Sequence, residues 1–345
     1  MKLSTKVLMS CLGFLPMQFA VSATIDECLQ EQLAVLADTV TIGELKAICE
    51  QQQILSGDAQ LEEQSPAMQS LVTEDEPALA ESALARRLSL EDANNNPFTL
   101  LPHKPNYLII SNNMSSPHDA PFQEAFPNRN IHFQPWETKF QLSFKVPIVR
   151  GIYNGRGDLY MAYTNRSFWQ QFNKAGSAPF RDSNHEPEAW LSFRNDANVL
   201  GFHNSVIRTG IVHQSNGQAG TLSRSWNRVY ADFIFERGNW FFSLKPWYRL
   251  PEKQSQDDNP DIEDYLGNFE LSGLYKYESQ TFDFMVRDNL QSENNRGALQ
   301  LNWSFPLSKN VRGYVQWFNG YGESLIDYNA SSNSLGFGIQ LTDWL

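Results

Sequence analysis

The chain has 345 residues, with 39 Asp and Glu against 27 Lys and Arg, so its formal net charge is −12. No basic patch interrupts this acidic balance, which argues against nucleic-acid binding, because phosphate recognition needs clustered Lys and Arg. Beyond the N-terminal segment, no stretch approaches the roughly 18 uninterrupted apolar residues of a membrane helix. We therefore expect no helical membrane anchor in the mature chain.

Residues 1–23 predict a cleavable secretory signal. Two lysines precede an apolar stretch that runs to residue 20, and Ala23 closes a Val-Ser-Ala cleavage site. We expect the protein to be exported, with cleavage after Ala23.

Residues 24–103 form a separate acidic region, with fifteen Asp or Glu and three Lys or Arg. Residues 24–55 predict a small helical hairpin, because apolar residues recur there at helical spacing. Cys28 and Cys49 are the only cysteines that remain after export, and a disulfide between them fits an oxidising compartment and a module of this size. Residues 56–103 predict an acidic linker.

From residue 104 to residue 345, apolar and polar residues alternate in runs of strand length. We count twelve candidate strands, separated by turn residues, and many are long enough to cross a bilayer when tilted. Tryptophans near the predicted strand ends suggest an interfacial girdle: Trp169, Trp190, Trp226, Trp240, Trp247 and Trp317. With the export signal, this pattern predicts an all-β fold, a twelve-stranded antiparallel transmembrane β-barrel. A soluble secreted β-sandwich would fit the strand pattern alone equally well.

His213, Ser215 and Asn227 lie within fifteen residues, on two predicted strands joined by a turn near Gly217 to Gly220. Side chains alternate across a strand, so these three residues share a face with the apolar odd-numbered positions around them. In a soluble hydrolase that face would be buried core, but in a membrane barrel it contacts lipid. A nucleophile, a base and a group that orients the base would then meet acyl chains and head groups.

A wider set of stretches carries a resemblance to a known family. They are residues 163–170 (YTNRSFWQ), 177–181 (SAPFR), the window 213–227, 245–248 (KPWY), 257–261 (DDNPD) and 321–328 (YGESLIDY). From about residue 138 to the end, the chain resembles outer-membrane phospholipase A of Gram-negative bacteria. The resemblance implies a twelve-stranded barrel in the outer membrane that hydrolyses acyl esters of phospholipids and lysophospholipids at the outer leaflet, as a phospholipase A1 and A2. It also implies dependence on calcium and activation by homodimerisation.

The same resemblance assigns the catalytic roles. Ser215 matches the nucleophile, His213 the general base, Asn227 the residue that orients the imidazole, and Gly217 a backbone N–H that helps to bind the oxyanion. His185 receives no role.

Calcium ligands follow from the resemblance as well. The main-chain oxygen of Gln218 and the oxygens of Ser223 match ligands within one subunit, and Ser177 matches a ligand from the second subunit. Asp258 matches a carboxylate of a secondary calcium site, but Gly220 stands where the family can have the other aspartate of that site. Oxygen ligands of these kinds suit calcium.

A non-catalytic outer-membrane porin or scaffold is the alternative function. A porin would conduct ions and cleave no ester, whereas the enzyme would have a lumen packed with polar side chains. A soluble esterase is disfavoured, because the Gly-x-Ser-x-Gly turn of the α/β-hydrolases does not occur.

Overall fold

The fold is a closed antiparallel β-barrel, seen in a computed structural model that describes residues 100–174 and 176–342. Strands β2 to β13 are each hydrogen-bonded to their neighbours in sequence order, and β13 pairs with β2 to close the cylinder. The expectation of twelve long strands is confirmed. The predicted signal peptide, the predicted helical hairpin with Cys28 and Cys49, and nearly all of the predicted linker lie outside the described residues.

The strand bounds are β1 Leu101–Pro102, β2 Asn106–Asn113, β3 Trp136–Gly151, β4 Gly157–Trp169, β5 Phe180–Val199, β6 Phe202–Ser215, β7 Ser225–Arg237, β8 Trp240–Arg249, β9 Phe269–Tyr277, β10 Gln280–Asp288, β11 Gly297–Pro306, β12 Arg312–Tyr321 and β13 Ser331–Thr342. The two-residue strand β1 pairs with β3, so strand pairing begins slightly before residue 104. Because the sheet closes on itself, no long strand edge is left unpaired among residues 100–174 and 176–342. A backbone inside a bilayer requires such pairing of its polar groups.

Among the described residues, the helical segments are short and lie between the strands. They are α1 (Ala120–Ala125), α2 (Ile152–Gly155), α3 (Glu263–Leu266) and a 3₁₀ turn at Gly220–Leu222. Within the described part of the chain, no helix combines the length and apolar character needed to span a membrane.

The two ends of the barrel differ in their connections. Long loops, residues 114–135, 170–179, 216–224, 250–268, 289–296 and 322–330, all lie at one end, which we call the long-loop end. The opposite end carries short turns and also the start of β2 and the end of β13. The His213 to Asn227 window lies at the long-loop end.

Alternation along the strands sorts side chains to the two faces as predicted. On β3, Leu142 and Phe144 are exposed on the outer surface, while Gln141, Ser143 and Lys145 are buried in the lumen. The same division holds on β11 and β13, where Leu301, Trp303, Leu335, Phe337 and Leu341 face outward. An apolar outer surface with a polar interior is the arrangement that a bilayer selects.

The predicted tryptophan girdle is only partly correct. Trp240 is exposed on the outer surface, but three of the six tryptophans are buried inside the barrel: Trp190, Trp226 and Trp247. These three residues occupy strand positions whose side chains face the lumen, so nearness to a strand end did not place them at the membrane interface. Trp226 and Trp247 instead pack edge to face and lie beneath the Arg228 guanidinium.

Paired charges fill the lumen. Glu188 accepts hydrogen bonds from His103 at 2.6 Å and from the Tyr230 hydroxyl at 2.8 Å, and Lys104 pairs with Glu186. A cavity of about 250 Å³ lies among these groups. Its lining residues face inward, so the cavity lies on the opposite side of the barrel wall from His213 and Ser215.

The loop of residues 322–330 folds inward across the long-loop end. Leu325 and Ile326 are buried there. Lys139 of β3 donates to Glu323 at 2.8 Å, and both side chains are almost fully buried. Arg181 of β5 is paired with Glu137 and with Asp327, and these contacts fix the loop to the barrel wall.

Candidate active site on the outer wall

The β6–β7 hairpin brings the three predicted catalytic residues together. In its antiparallel register, His213 lies directly opposite Asn227, and Ser215 lies opposite Ser225. The turn between the strands includes Gly217 and Gly220, which both have positive φ, near +64° and +63°. Glycine adopts such a conformation without strain, which lets the chain reverse at this point.

His213 and Asn227 are joined by a hydrogen bond. The distance from His213 Nδ1 to Asn227 Oδ1 is 2.9 Å. An amide oxygen can only accept, so the ring proton resides on Nδ1. The Nε2 atom is then left with a lone pair that can receive a proton from a hydroxyl group. Both side chains are partly exposed on the outer surface.

Ser215 lies two residues after His213 on the same outward-facing row. Its hydroxyl makes no hydrogen bond to any described residue, so it is free to rotate toward the imidazole. Catalytic hydrogen bonds often tighten only when substrate binds. The Gly217 N–H likewise has no acceptor among the described residues, as a donor for an oxyanion requires.

A second imidazole, which the sequence reasoning left without a role, adjoins the serine. His185 of β5 lies opposite Ser215 in the register. Its Nδ1 is 2.6 Å from the Tyr163 hydroxyl and 3.3 Å from Asn165 Nδ2. The two residues are thirty positions apart in the sequence, so the motif around Ser215 did not include His185. The pairing of β5 with β6 along most of their length brings them together.

Glu252 is a further side chain that the sequence did not indicate. Asn227 Nδ2 donates to Glu252 Oε1 at 3.1 Å. The backbone N–H of Leu250 also donates to the Asn227 carbonyl at 2.8 Å. This bond continues the β7–β8 ladder by one residue, so Glu252, two residues after Leu250, is a diagonal neighbour of Asn227.

The candidate calcium ligands lie on three loops at the same end of the barrel. Ser223 donates to Asp258 at 2.6 Å, so a hydroxyl and a carboxylate meet beside the hairpin turn. Gln218 is exposed in that turn, and Ser177 is exposed in the loop after β4. The space beside Gly220 is open.

Few of these groups are charged. The described residues hold no group of three or more His, Cys, Asp or Glu arranged so that it could bind a metal ion. The oxygens of Ser223 and Asp258 nevertheless have the chemistry that calcium prefers.

Another contact ties two of the loops together. The Tyr328 hydroxyl donates to Asp261, which joins loop 322–330 to the loop that carries Asp258 and Glu252. Burial, followed by the hydrogen bond to Asp261 and its negative charge, raises the pKa of Tyr328. Tyr328 therefore stays a neutral donor at physiological pH, and the contact is kept.

A polar-lined β-barrel with an apolar outer band, carrying serine, histidine and asparagine in one outward-facing cluster, has the features of an integral outer-membrane enzyme. A family model described as phospholipase A1 matches residues 84–341. The chain belongs to the phospholipase A1 family, and it is a phospholipase of the bacterial outer membrane.

Individual relatives agree with this assignment. The chain is 38% identical over 269 residues to phospholipase A1 of Salmonella typhimurium, which covers 78% of this chain and 89% of the relative. It is 38% identical over 271 residues to phospholipase A1 of Escherichia coli K12, with the same two coverages.

Solved structures show the same fold. Outer membrane phospholipase A from Escherichia coli superposes with a TM-score of 0.66 at 36% identity, covering 73% of this chain and 95% of that one. A Salmonella typhi outer membrane phospholipase, described as a dimer with bound calcium, gives 0.66 at 37% identity and covers 72% and 94%.

Proposed function

We propose that this protein hydrolyses acyl esters of phospholipids and lysophospholipids with Ser215 as nucleophile, His213 as general base and Asn227 as the group that orients His213. The hydrogen bond from His213 to Asn227 is the observation that supports this most strongly, because it leaves the Nε2 lone pair of His213 available on the lipid-facing surface. A solved structure of the Escherichia coli relative is described as an active-site mutant in which an asparagine is replaced by alanine. That description supports an asparagine role in the family.

The reaction proceeds in two steps on these residues. His213 Nε2 takes the hydroxyl proton as Ser215 Oγ attacks the ester carbonyl, and the Gly217 N–H donates to the oxyanion. Collapse breaks the bond to the glycerol oxygen, which receives the proton from His213, and the acyl group remains on Ser215. Water then attacks that acyl ester as His213 takes its proton. Collapse breaks the bond to Ser215 Oγ, which receives the proton from His213 as the fatty acid leaves.

Calcium is part of the proposal. Its ligands would be the main-chain oxygen of Gln218 and the oxygens of Ser223, together with Ser177 from a second subunit, and Asp258 would bind at a secondary position. The hydrogen bond from Ser223 to Asp258 at 2.6 Å supports this ligand set, because it brings a hydroxyl and a carboxylate together beside the hairpin turn. When bound, the cation supplies positive charge that stabilises the developing oxyanion.

Homodimerisation follows from a ligand set that is shared between subunits. If Ser177 completes the calcium site of its partner, metal binding and subunit association must favour each other, by reciprocal linkage. The Salmonella typhi relative, described as a dimer with bound calcium, supports this arrangement.

A porin function is disfavoured by the inward fold of loop 322–330. Leu325 and Ile326 are buried at the long-loop end, and the lumen below them is crossed by ion pairs such as Lys139–Glu323. We expect negligible ion conductance across a planar bilayer. A steady open-channel conductance would support the porin alternative.

The experiment that tests the proposal is hydrolysis of mixed phospholipid–detergent micelles with calcium or with a chelator. We expect Ser215→Ala to abolish hydrolysis and to leave the heat-modifiable gel mobility of the folded barrel unchanged. Ser225→Ala, on the opposing strand position, is the matched control and should retain activity. Retention of more than a few per cent of activity by the Ser215 variant would refute the nucleophile assignment.

A further inference from the structure

Asn227 makes hydrogen bonds with both ends of its amide group. Its Oδ1 accepts from His213 Nδ1 at 2.9 Å, and its Nδ2 donates to Glu252 Oε1 at 3.1 Å. Glu252 lies just beyond the end of β8, two residues after Leu250, whose N–H extends the β7–β8 pairing to the Asn227 carbonyl. The order of contacts is therefore carboxylate, amide and imidazole, and the Ser215 hydroxyl lies on the same outward-facing row as the imidazole.

We propose that Glu252 is a positioning residue that fixes the amide orientation of Asn227 and, through it, the tautomer of His213; the inference rests on the proposed catalytic role of these two residues. An ionised carboxylate can only accept hydrogen bonds, so the amide must turn its NH₂ group toward Glu252. Its oxygen then faces the imidazole, which must carry its proton on Nδ1. The basic Nε2 is thereby presented to the serine.

Glu252 also explains why an amide, not a carboxylate, lies next to the histidine. An aspartate at position 227 would place a second carboxylate oxygen about 3 Å from Glu252, and two like charges at that distance repel strongly. With asparagine, the negative charge lies one residue further out and polarises the amide toward the imidazole. A neutral amide alone stabilises imidazolium less well than a carboxylate does.

A double-mutant cycle measures whether Glu252 acts through Asn227. We expect Glu252→Ala to lower kcat by about tenfold, equivalent to about 1.4 kcal/mol, with KM unchanged. In an Asn227→Ala background, the same substitution should cause no further loss. A purely structural role in the loop would lower activity equally in both backgrounds, because such effects add when two residues do not act together.

The matched control is Glu263→Gln, which alters another glutamate of the same loop. Glu263 accepts a hydrogen bond from Asn268 at 2.6 Å, so it forms the same type of pair without contacting Asn227. We expect this variant to retain full activity. The calcium concentration that gives half-maximal activity should be unchanged in Glu252→Ala, because Glu252 is not among the proposed ligands.

A charge relocation gives a second readout. Asn227→Asp alone should lose most activity, because two carboxylates face each other. Asn227→Asp combined with Glu252→Gln should recover at least tenfold in kcat, since the glutamine NH₂ can donate to the new aspartate. Heat-modifiable mobility confirms folding of each variant.

The outcomes separate the two proposals. If Asn227→Ala is fully active, the catalytic assignment itself is wrong. If Asn227→Ala is impaired but Glu252→Ala is equally harmful in both backgrounds, or the relocated charge rescues nothing, only the role of Glu252 is overturned.

Discussion

The ion pair between Lys139 and Glu323 should make the closed end of the barrel sensitive to acid. Burial alone would raise the pKa of Glu323, but the positive charge and hydrogen bond of Lys139, with hydrogen bonds from Ser332 and Ser334, lower it from 4.5 to about 2. Because the pKa of Glu323 is lower in the folded state, its charge stabilises the fold above pH 4.5. That stabilisation is lost as the pH falls toward 2.

The size of the effect follows from the pKa difference. One pKa unit corresponds to about 1.4 kcal/mol, so the ionised Glu323 contributes about 3 kcal/mol at pH 7 and roughly 1.5 kcal/mol at pH 3. Glu323→Gln cannot ionise and leaves the ammonium of Lys139 buried without a counter-charge. The free energy of unfolding should therefore fall by about 3 kcal/mol at pH 7 and by roughly half of that at pH 3.

Urea unfolding followed by tryptophan fluorescence can measure this difference. Vesicles of ether-linked phospholipid suit the experiment, because they contain no acyl ester to be hydrolysed. Glu293→Gln is the control: this glutamate is exposed in another loop at the same end of the barrel, and its substitution should change stability by under about 0.5 kcal/mol. A destabilisation by Glu323→Gln that is the same at pH 7 and pH 3 would refute the reasoning.

Three further outcomes are expected. His213→Ala should abolish hydrolysis, whereas His185→Phe should keep measurable turnover, because His185 lacks the bond to Asn227 that fixes a basic Nε2; the reverse result would assign the base to His185. Ser223→Ala should weaken both calcium activation and the calcium-dependent increase in cross-linked dimer, and a loss of one response alone would contradict a shared site. Deletion of residues 24–100 should leave a barrel with normal heat-modifiable mobility and activity, and failure to assemble would show that this region is needed for folding.

The direction of each side chain on the barrel wall, inward or outward, was predictable because it depends only on neighbouring residues. Alternation assigns each side chain to lipid or lumen from its neighbours alone, and it correctly placed Leu142, Phe144, His213 and Ser215 on one side. Two strands that follow each other in the chain need no long-range information to pair His213 with Asn227. The prediction of a tryptophan girdle was wrong for Trp190, Trp226 and Trp247, because it relied on their nearness to a strand end. The alternation of side chains along each strand would have placed all three inside the barrel.

The contacts of the loops could not be predicted in this way. Glu252 reaches Asn227 because the β7–β8 pairing continues one residue beyond β8, and the sequence alone did not fix the register of these two strands. The pairing of Lys139 with Glu323 joins residues separated by 184 positions. Such contacts depend on how loops pack in three dimensions after the barrel has closed, so they appear only in the structure.

With Ser215 as the proposed nucleophile, its outward position has a kinetic consequence. A hydroxyl on the outer wall meets its substrate by lateral diffusion of lipid within the surrounding leaflet. The relevant concentration is then the mole fraction of hydrolysable lipid in that leaflet, not its amount per volume of buffer. Diluting the leaflet with an inert ether lipid should slow turnover even when the total amount of ester is constant. The enzyme thereby responds to the composition of the surface in which it is embedded.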